Sequence, residues 1–230
     1  MFNKILFAVG VMLSLSTQLS AAILYESGTL GPTGVTWQQA IDGDVPGENV
    51  NPNAFSGVRF ELTQPVMTTR IGGHVVGPPN SGATFFAAIV ALDGENDFPD
   101  SNDLSTADLL GSTVIEFPEP SAEVFGNLSL SLDPGWYALI FGSGLLGAQG
   151  SGGVLSNSLD IGNPDYIGFL TGFGWGNRLP SKRFVIEGII VPEPTSATTV
   201  LLLSLFSLFH SRQEKDRHNL NLQAGGRFTK

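Results

Sequence analysis

The residues best suited to chemistry stand in a few short stretches. Asp93-Gly-Glu-Asn-Asp-Phe-Pro-Asp-Ser-Asn-Asp103 places five carboxylates, Asp93, Glu95, Asp97, Asp100 and Asp103, within 11 residues. Hard cations such as Ca²⁺ take several oxygen ligands, which makes this the candidate cation loop. It departs from the EF-hand pattern, because Phe98 stands where that loop has glycine and Leu104 where it has glutamate. A solvated acidic loop is the plainer reading, and Ca²⁺ is the one cofactor left open. Gly168 to Gly176 interleaves glycine with Phe169, Phe173 and Trp175, and Asn177 and Arg178 follow. Phe173, Trp175 and Asn177 are the candidate glycan contacts, with rings for sugar faces and polar groups for hydroxyls. Large aromatics also serve core packing and loop anchoring. Gly142-Ser-Gly-Leu-Leu-Gly147 matches G-x-G-x-x-G, but a dinucleotide site needs a helix next. Ala148-Gln-Gly-Ser-Gly-Gly153 will not make that helix, so the glycines read as a tight loop. His74 is the histidine a Ser-His-Asp triad would have to use, and no Gly-x-Ser-x-Gly elbow accompanies it. It reads as a strand histidine. Two carboxylates across a cleft could hydrolyse a glycoside, but their proximity is not a property of sequence.

The elements that would position these residues are strands. Gly, Pro, Asn, Asp and Ser punctuate the chain, and no long 3.6-residue apolar stripe appears. The pattern predicts strands over Ala22–Glu26, Val58–Leu62, Val66–Val76, Thr84–Leu92, Leu109–Phe117, Leu128–Leu132, Trp136–Phe141, Tyr166–Leu170 and Phe184–Ile190. Leu128-Ser-Leu-Ser-Leu132 alternates as a half-buried strand does. Asp133-Pro-Gly135 predicts a hairpin turn into Trp136–Phe141. Phe85-Phe-Ala-Ala-Ile-Val-Ala-Leu92 is apolar throughout, which suits a central strand. About nine short strands argue for an all-β fold, a two-sheet antiparallel sandwich, with a jelly roll as the favoured version. Gly31 to Phe55, Asp93 to Asp103, Gly142 to Gly153 and Gly168 to Gly176 read as loops. Loops on a rigid scaffold are where binding concentrates.

Charge and cysteine content narrow the setting. Between Ala22 and Pro194 there are 19 acidic and 5 basic residues, a net of −14. Such a surface repels nucleic acid. The chain has no cysteine, so thiol chemistry is excluded and an exported domain would rely on its core. Met1 to Ala22 has the order of a secretory leader: Lys4, the apolar run Ile5 to Leu15, then Ser20-Ala-Ala22. Near the other end stand Val191-Pro192-Glu193-Pro194, the uncharged run Thr195 to Phe209, and then Arg212, Lys215 and Arg217. The 15-residue run would make a helix of about 22 Å, short against a bilayer core of about 30 Å. Past it the basic residues outnumber the acidic by 5 to 2, and positive flanks stay cytoplasmic.

Val191-Pro-Glu-Pro194, an apolar helix and basic residues resemble, in that order, the PEP-CTERM sorting signal of Gram-negative bacteria. The resemblance covers Val191 to Arg217. Glu214 and Asp216 interrupt the basic cluster, and a polar tail from His218 to Lys230 follows it. The resemblance implies passage through the export machinery, transient insertion in the inner membrane through the C-terminal helix, and recognition by an exosortase-like processing enzyme. It further implies delivery to the cell surface or an extracellular matrix associated with polysaccharide and biofilm. The expected organisation is a signal peptide over 1–22, a β-sandwich over 23–190, a sorting signal over 191–217 and a polar tail over 218–230. The expected function is a non-enzymatic structural or adhesive one in extracellular polysaccharide. The alternatives are a carbohydrate-binding module and a secreted glycoside hydrolase.

Overall fold

The computed structural model describes residues 21–191. The expected leader helix, the C-terminal apolar helix and Pro192, Glu193 and Pro194 lie outside the described residues. The strands, in chain order, are β1 (Ala22–Glu26), β2 (Gly47–Val50), β3 (Ala54–Leu62), β4 (Val66–Val76), β5 (Thr84–Leu92), β6 (Leu109–Glu116) and β7 (Ala122–Asn127). They continue with β8 (Ser131–Leu132), β9 (Gly135–Gly142), β10 (Gly152–Leu155), β11 (Asp165–Leu170), β12 (Gly174–Asn177) and β13 (Phe184–Ile190). A five-residue helix, α1 (Trp37–Ile41), precedes β2.

The strands form two antiparallel sheets, so the chain is an all-β sandwich. One sheet runs β1-β13-β4-β10-β2, with β7 and β8 also on β4. The other runs β12-β11-β3-β9-β5-β6. Eight of these strands pair as a nested set: β1 with β13, β3 with β9, β4 with β7, and β5 with β6. First therefore meets last, second meets seventh, and so inward. A long hairpin rolled up in this way is a jelly roll.

Between the sheets lies the main core, which includes Val58, Phe60, Ile71, Phe85, Leu139 and Phe184. A second cluster covers the outer face of the six-stranded sheet. This explains why β5 is apolar throughout. Phe85, Ala87 and Ile89 enter the main core, while Phe86, Ala88 and Val90 enter the second cluster. Phe98 and Leu104 from the acidic stretch, and Leu145, Leu146 and Ala148 from the Gly142–Gly153 stretch, form part of the second cluster or pack on it. These two loops are thus the outer cover of a sheet. A third, small cluster of Val35, Val76 and Leu155 holds α1 through Trp37 and Ala40.

The structure departs from the sequence expectations at several places. The Asp133-Pro-Gly135 turn does not close a hairpin. Leu132 pairs with Val66 in one sheet and Gly135 with Leu62 in the other, so the turn crosses the sandwich. Turn residues fix a reversal of direction; they do not choose the partner. Only Ser131 and Leu132 of the alternating stretch are strand, because the Thr68 hydroxyl takes over the pairing next to them. It donates to Leu128 O at 2.6 Å and accepts from Leu130 N at 3.0 Å. Gly31 to Phe55 is no continuous loop, since it holds α1, β2 and the start of β3. Gly168 to Gly176 is a hairpin, β11–β12. Short, glycine-rich β10 and β12 carry too few side chains to show a period of two.

Candidate functional site

The acidic stretch is held by its turns. Asp97 Oδ2 accepts from Asp93 N at 2.8 Å, Asp108 Oδ2 from Asp100 N at 2.9 Å, and Asp103 Oδ1 from Ser105 N and Oγ. Short polar side chains that bond nearby backbone in this way build turns. Among the described residues there is no group of three or more His, Asp or Glu arranged to hold a metal ion. The stretch is pinned from below by Arg59 of β3, which is 3 % exposed. Its guanidinium donates to Asp97 O at 2.9 Å and to Asn177 Oδ1 at 2.8 Å, and pairs with Asp165 at 2.8 Å. It also lies 4.8 Å from the centre of the Phe98 ring.

The three candidate glycan contacts fall in different environments. Phe173, at the β11–β12 turn, is 85 % exposed. Trp175 is half-buried against Phe55 and Phe169, and its Nε1 donates to Ser101 O at 3.1 Å. Asn177 has its carbonyl oxygen on Arg59. Trp175 thus bonds the acidic loop directly, Asn177 accepts from the Arg59 that also bonds it, and Phe173 is left as the exposed ring. The G-x-G-x-x-G stretch leads into no helix. Gly144 and Gly147 take φ of +78° and +86°, and Gly144 N bonds Ala148 O at 3.0 Å. His74 is buried on β4 with Nε2 3.3 Å from Ser121 Oγ. Burial pushes its pKa below the ordinary value, and the nearby Asn157 side chain and Glu123 charge oppose that only in part.

Sequence reasoning did not find the ion pairs that knit the elements. Lys182 is fully buried, with Nζ 3.1 Å from Glu48 Oε1 and 4.8 Å from the centre of the Tyr166 ring. Burial lowers its pKa, and Glu48 opposes this. An enclosed amine cannot meet a substrate, so its role is to tie β2 to the segment before β13. Arg183 reaches Glu26, Glu123 and Gly28 O, joining β1 and β7 to β13. Arg70 makes a bidentate pair with Glu187 at 2.7 and 2.8 Å. Pairing over sequence gaps of this size leaves no local signal.

Among the described residues, shallow grooves mark the surface. One of about 330 Å³ lies between α1 and the β2–β10 pair and is lined by Trp37, Ile41, Asn49 and Gly153 among others. One of about 200 Å³ is lined by Glu48, Asn49, Phe169, Leu170 and Arg178 among others. One of about 390 Å³ includes Glu116 and Glu119 in its lining. Glu119 Oε2 accepts from Trp37 N at 2.9 Å, which commits it to holding α1. The fold and the site together define a cysteine-free jelly-roll sandwich with shallow grooves. No family model matches the chain, and a search of curated proteins finds no match.

Proposed function

We propose that this is an exported, non-enzymatic protein sorted to the envelope or extracellular matrix of a Gram-negative bacterium, with a structural or adhesive role among polysaccharide. The observation that carries the reading is the junction at Val191. The sandwich ends with β13 at Ile190, and the sorting-like motif begins at the next residue. Val191 N still bonds Pro65 O at 2.9 Å. The first strand likewise starts at Ala22, where the leader-like segment ends. Everything between the two targeting-like segments is therefore one folded body, as cargo would be. Its net charge of −13, from 18 acidic and 5 basic residues between Ala22 and Ile190, suits solubility outside the cell and avoidance of nucleic acid.

The test is fractionation of the native host, with mass spectrometry of the protein's two ends. Mature protein beginning near Ala22, ending near the Val191-Pro-Glu-Pro194 motif and found outside the inner membrane is the expected result. A cytoplasmic protein, or one that keeps residues past Phe209, overturns the sorting reading. The carbohydrate-binding reading is favoured by one separate observation, the groove beside Trp37.

A further inference from the structure

We infer that the grooves on either side of β2 form one binding track for a neutral, hydroxyl-rich oligosaccharide, with Trp37 as its ring platform and Asn49 and Arg178 as its hydrogen-bonding groups. Glu48 and Asn49 line both grooves, so β2 is the ridge between them. β2 pairs only with β10 within its sheet, and Asn49 is exposed.

On the first side, Trp37 is half-buried: it packs partly on the small cluster of Val35, Val76 and Leu155 and keeps the rest of its ring open. Its indole N–H makes no hydrogen bond among the described residues, while its backbone N–H is held by Glu119. The platform is fixed in place. The Thr36 hydroxyl and Gln39 side chain close a capping box on α1, and Glu119 anchors it from the other side of the chain. Ile41, 55 % exposed, extends the apolar wall. Gly153 contributes floor without a side chain; a Cβ there would stand 3.2 Å from Glu48 O. An aromatic ring with a free N–H beside an amide is the combination that a sugar uses, apolar face and hydroxyl edge together.

On the second side stands Arg178. Of the five basic residues between Ala22 and Pro194, Arg59, Arg70, Lys182 and Arg183 each sit in an ion pair. Arg178 is the exception among the described residues. Its side chain lies across Gly168, where a Cβ would come within 2.7 Å of Nε. A guanidinium left unpaired in a domain with 18 carboxylates keeps five donors for an outside partner. Leu170, 37 % exposed, supplies apolar surface beside it. The domain's net of −13 works against a polyanion, which selects a neutral glycan over a polyuronate.

This inference rests on the polysaccharide setting proposed above, but its failure can be told apart from failure of the sorting reading, because the test below does not depend on cellular location. The full chain, purified in a non-glycosidic detergent, is run through native gels containing a soluble neutral glucan, xylan or galactomannan, and through polygalacturonate. Retardation by at least one neutral polymer is expected. Trp37→Ala and Asn49→Ala should each weaken it about tenfold, and Phe173→Ala should leave it unchanged. Asn49→Ala, on an exposed side chain, keeps the test decisive if the Trp37 variant misfolds. No retardation by any neutral polymer, retardation that both groove variants retain, loss only in Phe173→Ala, or preference for polygalacturonate would each overturn the inference. So would a groove variant that changes the oligomeric state and not glycan binding.

Discussion

Arg59 decides where the acidic stretch goes. Among the described residues it is the one buried cation bonded to that stretch, and it satisfies Asp97 O, Asn177 Oδ1 and Asp165 at once. Asp165 is 38 % exposed, so the ion pair itself is worth little; the buried bond to Asp97 O and the packing on Phe98 carry more. Arg59→Met should cost about 2–4 kcal/mol by denaturant unfolding and make the 93–108 segment sensitive to protease before global unfolding. Equal stability and unchanged cleavage would show that the loop holds itself. His74 offers a pH test. Its folded pKa lies below the ordinary value, mainly through burial, so the unfolded chain binds the proton more readily. Stability then falls as pH drops below the unfolded value of about 6.5, until the folded pKa is passed. The groups that face it are the Ser121 hydroxyl, the Asn157 amide, and the Glu123 and Arg183 charges. His74→Gln should flatten the pH dependence of the melting temperature between pH 6.5 and the acid range. A slope that persists in this variant would assign it to the carboxylates. Neither residue announced its role in sequence. Arg59 sits in a strand whose period of two says which face it takes, and nothing about what covers that face.

At the scale of elements, backbone packing is closest where β4 meets β7. A Cβ on Gly72 would stand 1.9 Å from Val124 O, in the strand it pairs with. Gly72→Ala must push the two strands apart, at a cost of about 3 kcal/mol or more. Gly94→Ala, whose Cβ would meet nothing within 4 Å, is the control and should be near neutral. Comparable melting temperatures for the two variants would mean that β7 is a loosely held edge. β1, β4, β5 and β13 are legible in the sequence to the residue, because each is a run of apolar or alternating side chains long enough to show its period. Gly47-Glu-Asn-Val50, Ala122-Glu-Val-Phe-Gly-Asn127, Gly152-Gly-Val-Leu155 and Gly174-Trp-Gly-Asn177 are not legible. They become strands because a neighbour with free backbone groups lies alongside, and the groove at Asn49 depends on one of them.

At the scale of the molecule, the nesting of first strand with last has a consequence for folding. β13 lies between β1 and β4, so the first sheet cannot close until residues 184–190 are present. A chain ending at Lys182 should show no cooperative melting transition, whereas residues 22–191 alone should melt cooperatively as a β-rich protein. A chain of that length buries close to 70 % of its unfolded surface, without metal or disulfide. Chelator should leave that transition in place, because the Asp97, Asp103 and Asp108 carboxylates are spent on turns. Loss of folding in chelator would restore the stretch as a structural cation site. Composition and period by themselves determined the all-β class, the longest strands and the order of targeting-like segments at the two ends, because these are written in residues close together in the chain. The tertiary structure alone decided that Asp133-Pro-Gly135 crosses between sheets, that Trp175 bonds the acidic loop while Asn177 accepts from Arg59, and that Trp37, Asn49 and Arg178 line adjoining grooves. Each of those outcomes depends on which distant backbone and side chains come alongside, and local physical chemistry carries no record of a partner a hundred residues away.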